Sequence, residues 1–104
     1  MAREKFQTLT EQMFYILLCL RRECCGADIM EQAARLTDNQ VVIGPGTLYS
    51  LLESFLQEGF IQETRAEGRK RSYQITAKGR LRLEEEVRRL RRQVEDYGRF
   101  GGEV

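Results

Sequence analysis

Gly44-Pro45-Gly46-Thr47-Leu48-Tyr49-Ser50-Leu51-Leu52-Glu53-Ser54-Phe55-Leu56-Gln57-Glu58-Gly59 is the stretch that decides the fold of this 104-residue chain. Proline is pre-organised for the first helical position, where its missing N–H costs nothing, so Pro45 predicts a helix start. Leu48, Leu51, Leu52, Phe55 and Leu56 then follow the i, i+3, i+4, i+7, i+8 spacing that predicts one buried stripe. Gly59 provides a residue able to turn left-handed after the last turn. The other face carries Thr47, Ser50, Ser54 and Gln57, with Glu53 its one charge. That face offers short hydrogen-bonding groups to a polar partner.

Two further helices are expected upstream. Thr8 followed by Glu11 has the capping-box spacing, and Leu9, Met13, Ile16, Leu17 and Leu20 recur at helical intervals up to Arg21-Arg22-Glu23. Gly26 and the first-turn acid Asp28 open a second segment in which Ile29, Ala33 and Leu36 share a face. It stops at the turn-forming Thr37, Asp38 and Asn39.

Downstream, Phe60 to Arg65 and Arg71 to Thr76 read as two short strands around the loop Ala66-Glu67-Gly68-Arg69-Lys70, a β-hairpin. Residues 65–71 carry a net +3 in a chain whose total is +1, so charge gathers at the hairpin tip. Thr76 caps a final helix in which Leu83, Val87, Leu90, Val94 and Tyr97 alternate spacings of four and three, the seam of a coiled coil. Such a seam needs a partner. Glu84 to Glu86 with Arg88, Arg89, Arg91 and Arg92 are expected to decorate its other faces, and Gly98, Gly101 and Gly102 to mark its end.

Composition narrows the function classes. The length suits one domain, and 32% charged residues signal at least one well-solvated helix. Fourteen of the 17 basic residues are Arg, whose rigid donor fork suits phosphate and guanine. The longest apolar run, Met13 to Leu20, is eight residues, far below the roughly 20 that cross a bilayer. No membrane partner and a cytoplasmic location are therefore expected. Cys19, Cys24 and Cys25 form no CxxC pair and the chain has no His, so reduced, structural thiols are expected and no metal or cofactor. Without His, a Ser paired to a base, or paired carboxylates near a pocket, no catalytic residue is expected either.

Three helices followed by a basic hairpin is the order of a winged helix: a mainly α fold with a small β-hairpin, here extended by a C-terminal dimerisation helix. Residues 1–76 form the winged helix and 77–104 the dimerisation helix and tail, as one compact unit. A helix in the major groove reads bases near its N-terminal end, which points to Thr47, Tyr49 and Ser50. Arg69, Lys70 and Arg71 at the wing would meet phosphates of double-stranded DNA.

Gly46-Thr47-Leu48-Tyr49-Ser50-Leu51-Leu52 with Leu56-Gln57-Glu58-Gly59-Phe60-Ile61 resembles the recognition-helix signature of the PadR family, and Tyr73-Gln74-Ile75-Thr76-Ala77-Lys78-Gly79 resembles its strand-to-helix junction. With a glycine-led second helix at Gly26 to Met30, the likeness covers roughly residues 8 to 95; it departs at Cys25 and Ala27, where the family carries aromatics. The resemblance implies a homodimeric repressor acting on a near-palindromic operator. Its C-terminal helix would form the dimer through Leu83, Val87, Leu90, Val94 and Tyr97, and Tyr49 would lie at the DNA surface. Some relatives bind aromatic effectors between protomers; with no Trp, this chain lacks the platform some of them use. Two alternatives stay open at this point: a winged helix that binds protein instead of DNA, and a regulator with a small-molecule effector site at the dimer interface.

Overall fold

The computed structural model describes residues 8–101. Helix α1 spans Glu11–Cys19, strand β1 Cys24–Cys25, helix α2 Gly26–Leu36 and helix α3 Pro45–Glu58. Strands β2, Ile61–Glu67, and β3, Lys70–Ile75, precede the long helix α4, Ala77–Phe100. The fold is a mainly α winged helix with a small antiparallel sheet. That sheet has three strands in the order β1-β3-β2, one more than the hairpin alone. The added strand pairs Cys24 with Tyr73 and Cys25 with Ser72, tying the wing to the start of α2.

The capping box of α1 lies two residues later than expected. Thr10, not Thr8, accepts from the Met13 amide, and Met13 Sδ in turn receives the Thr10 amide. Helix α2 ends where Thr37 folds back: its hydroxyl donates to the Ala33 carbonyl at 2.7 Å and accepts from the Val41 amide at 2.9 Å. Asp38 and Asn39 follow with φ of 55° and 63°, the left-handed conformation that Asn and Asp tolerate better than most residues. The loop then drops Val41 and Ile43 into the core, which fixes the approach of α3.

The core gathers Ile16 and Leu17 of α1 with its C-cap Leu20, Ile29 and Ala33 of α2, Leu48, Leu52 and Phe55 of α3, and Ile61, Tyr73 and Ile75 of the sheet. The buried stripe of α3 is narrower than the spacing suggests. Leu51 is half-buried and Leu56 is 38% exposed, because the facing elements cover only the arc through Leu48, Leu52 and Phe55.

The junction between the wing and α4 is closed by hydrogen bonds. Thr76 donates to the Gly59 carbonyl at 2.6 Å and accepts from the Gly79 amide at 3.1 Å, while Lys78 Nζ donates to the Glu58 carbonyl at 2.7 Å. One residue thus satisfies the end of α3 and the start of α4 together. Gly79 packs against backbone: a Cβ there would stand 2.1 Å from the Phe60 carbonyl oxygen and 2.7 Å from Ile75 Cγ1.

Helix α4 departs from the sequence reading in three ways. Leu83 is buried in the chain's own core, so the exposed part of the seam begins after it. Glu86, which the pattern puts on an outer face, is only 2% exposed, and Arg82 is buried as well. Glu86 accepts from the Leu9 amide at 3.3 Å and pairs with Arg89, which fastens the entry of α1 to α4. Finally, the helix runs through Gly98 as far as Phe100; Gly102 lies outside the described residues. At 24 residues it is about 36 Å long, and none of the described helices is long and apolar enough to cross a membrane.

Candidate nucleic-acid interface

Helix α3 starts at Pro45 after the N-cap Gly44, which supplies no side-chain cap, so the first-turn amides of Gly46 and Thr47, which have no partner within the helix, gain none from a capping side chain. Thr47 and Ser50 are exposed on this turn, and Tyr49 is 52% exposed although its neighbour Leu48 is fully buried. The alternation follows from helix geometry: pinning Leu48 and Leu52 inward turns the other residues of the turn toward solvent.

The wing closes in a two-residue turn, Gly68-Arg69, with Gly68 at φ +61°. A positive φ at the first turn residue matches the twist of a hairpin, and glycine adopts it without strain. The pairing of Ile61 with Ile75 and Glu63 with Tyr73 resumes, after a bulge at Thr64, with Arg65 opposite Ser72 and Glu67 opposite Lys70. This register sorts the basic residues of the wing into two kinds. Arg71 donates to Glu63 at 3.1 Å, and Arg65 to Glu67 at 3.4 Å. Arg69 and Lys70 have no acidic partner among the described residues, so their charge is free.

The two elements face each other. Tyr49, Arg69, Lys70, Arg71 and Tyr73 line one open cleft of about 510 Å³ with the first turn of α2, Cys25 to Asp28. Burial, and next the Glu63 carboxylate, push the Tyr73 phenol up, so it is neutral at physiological pH. The first turn of α2 belongs to this surface as well. Its signal was present in the acid at Asp28 and the Gly26 that precedes it, but only the pairing of β1 with β3 brings it beside the wing.

Cys25 lines the cleft, whereas Cys19 and Cys24 do not. All three are free thiols; burial, and next the Asp28 carboxylate, push Cys24 up to about 11, and burial raises Cys19. A thiol so far above neutral pH carries little thiolate, the form that attacks disulfides or binds soft metals. Among the described residues no group of three or more His, Cys, Asp or Glu could hold a metal ion.

The seam residues divide along α4. Val87 is half-buried, Leu90 partly exposed, and Val94 and Tyr97 are 71% and 74% exposed. Phe14 of α1 joins Val87, Leu90, Arg91, Val94 and Glu95 around an apolar groove of about 360 Å³.

Three helices and a hairpin wing with basic residues at its tip are the architecture of winged helix DNA-binding regulators. The chain belongs to the PadR-like family of transcriptional regulators, whose pattern it matches over residues 16–85. A transcriptional regulator from Clostridium thermocellum superposes with a TM-score of 0.73 at 25% identity, over 84% of this chain and 86% of that one. RosR from H. salinarum gives 0.66 at 20% identity, over 88% and 79%. ZitR of Lactococcus lactis, a zinc-responsive MarR family member, gives 0.64 at 21% identity, over 97% and 67%. The last two are similar in fold alone. No curated protein sequence matches the chain.

Proposed function

We propose that this chain is a transcriptional repressor that binds a near-palindromic operator as a homodimer. The observation that carries the reading is the cleft lined both by Tyr49 of α3 and by Arg69 and Lys70 of the wing, which have no acidic partner among the described residues. In this reading Thr47, Tyr49 and Ser50 read base edges in the major groove, while Arg69 and Lys70, with Arg71 in a lesser part, neutralise phosphates. The first-turn amides of α3 are suited to the same backbone.

Pairing is supported by Leu90, Val94, Tyr97 and Phe100, large apolar residues that the protomer leaves exposed along α4 beyond the half-buried Val87. A contiguous exposed apolar strip of this kind marks an interaction surface. The chain up to Thr76 would then contact DNA and the helix after it would hold the partner. Two recognition helices on a two-fold axis address half-sites one turn apart, roughly 34 Å.

The test is selection from sheared DNA of the source genome at moderate salt, with a Tyr49→Ala, Arg69→Ala double variant alongside. Enrichment of a few inverted repeats that the variant loses is expected. Equal retention by the variant would defeat the assignment of these residues, and a reporter gene placed behind the operator reads the sign of regulation.

A further inference from the structure

Gly26 opens α2 with an ordinary backbone conformation; among the described residues the glycines with positive φ are Gly59 and Gly68. Glycine loses more freedom on folding than any other residue, and alanine is the better helix former. The backbone therefore gives no reason for a glycine at this position. The surroundings do. A Cβ on Gly26 would stand 2.6 Å from the Tyr49 hydroxyl oxygen, 3.0 Å from its Cζ and 3.1 Å from its Cε1, inside ordinary van der Waals separation. All three nearest atoms belong to that one side chain. Neither Cys25 nor Ala27, the flanking residues, carries a ring of its own, so the edge of Tyr49 rests directly on the bare turn.

We infer that Gly26 is a positioning residue: its missing side chain is the seat that holds the Tyr49 ring across the start of α2 and directs the phenol into the cleft with Arg69 and Lys70. The inference rests on the DNA-binding reading above. A side chain already held in its binding orientation loses less freedom when the complex forms, so the seat raises affinity without touching DNA. The seat also joins α2 to α3 at the DNA-facing surface, away from the hydrophobic core that joins them elsewhere. Tyr49 is half-exposed, so its ring can rotate off the turn when the seat is filled, and the fold survives the change.

The experiment compares wild type, Gly26→Ala, Tyr49→Ala and the double variant for thermal unfolding and for binding to the selected operator duplex. Low salt keeps weak binders measurable. Gly26→Ala is expected to melt where wild type does and to bind about tenfold more weakly, the scale of one displaced contact. In the Tyr49→Ala background the same substitution is expected to change nothing. Wild-type affinity for Gly26→Ala would overturn the seat, as would an equal loss with and without Tyr49, which marks a plain requirement of the helix start. Should Gly26→Ala fail to fold, recovery in the double variant supports the seat and continued unfolding overturns it. A wild-type protein that retains no duplex defeats the DNA-binding reading itself, and the seat's role with it; that outcome is distinct from failure of the positioning alone.

Discussion

Removing the free charge of the wing tests the interface most directly. Arg69→Ala with Lys70→Ala deletes two cations per protomer, and in the proposed dimer these amount to four phosphate contacts. Each contact contributes about 0.9 to the slope of log affinity against log salt, so the variant's slope should be shallower by about 3.6. Between 50 and 200 mM salt the wild type should therefore lose about 150-fold more affinity than the variant does. Arg71 and Arg65 provide the internal control. Their guanidinium groups already face Glu63 and Glu67, so Arg71→Ala should flatten the slope much less than loss of Arg69 and Lys70 does. Fluorescence anisotropy of a labelled duplex across a salt series measures both. Parallel lines for wild type and the Arg69, Lys70 variant would refute the wing's part in binding, and equal flattening by Arg71→Ala would refute the sorting of its charges.

Other outcomes follow from the fold. Gly79→Ala drives a methyl into the Phe60 carbonyl and should cost about 3 kcal/mol, the upper end for overpacking, read as a lower denaturant midpoint. Leu90→Glu with Val94→Glu places charge on the uncovered strip of α4 and should yield a folded monomer by sedimentation; an unchanged dimer would move the interface elsewhere. Glu86→Ala leaves the Leu9 amide and Arg89 without their acceptor, and should cost about 1–3 kcal/mol at neutral pH. The Arg89 hydrogen bond, aided by the Leu9 amide, holds the Glu86 carboxyl below its ordinary value. Its contribution is therefore present above the unfolded carboxylate range, near 4.3, and is lost as pH falls through the lower folded value. The gap between wild type and Glu86→Ala should narrow over that acid window in chemical unfolding, and a gap independent of pH would discount the ion pair.

Helix α3 and the wing were legible because their signals are local. Pro45 and Gly59 bracket one, and Gly68 between two short apolar-alternating segments announces the other. What escaped reading depends on contacts far along the chain. Cys24-Cys25 has no alternation of its own and becomes a strand only because β3 offers it a free edge. Two threonines stand near the start of α1, and either suits a cap; packing of Leu9 into the core selects Thr10. Glu86 and Arg82 sit in a charge-rich helix whose composition speaks for solvent, and only the arrival of Leu9 and α1 buries them. At the candidate site, the residue types were legible but their pairing was not, since the β-bulge at Thr64 sets which arginines meet an acid.

The Thr76 junction makes the end of α3 and the start of α4 mechanically one piece, since a single hydroxyl and the neighbouring Lys78 tie both. In a dimer whose helices cross near the Phe100 end of α4, the long helix would be a lever with the recognition helix at its far end. Tilting a rod of about 36 Å by about 5° moves its far end by about 3 Å, close to the ~3.4 Å step between base pairs. In the proposed dimer, a small change in how two such levers cross would shift the reach of the pair by about a base step, so the operator's spacing would depend on crossing angle as well as on the residues proposed to touch DNA.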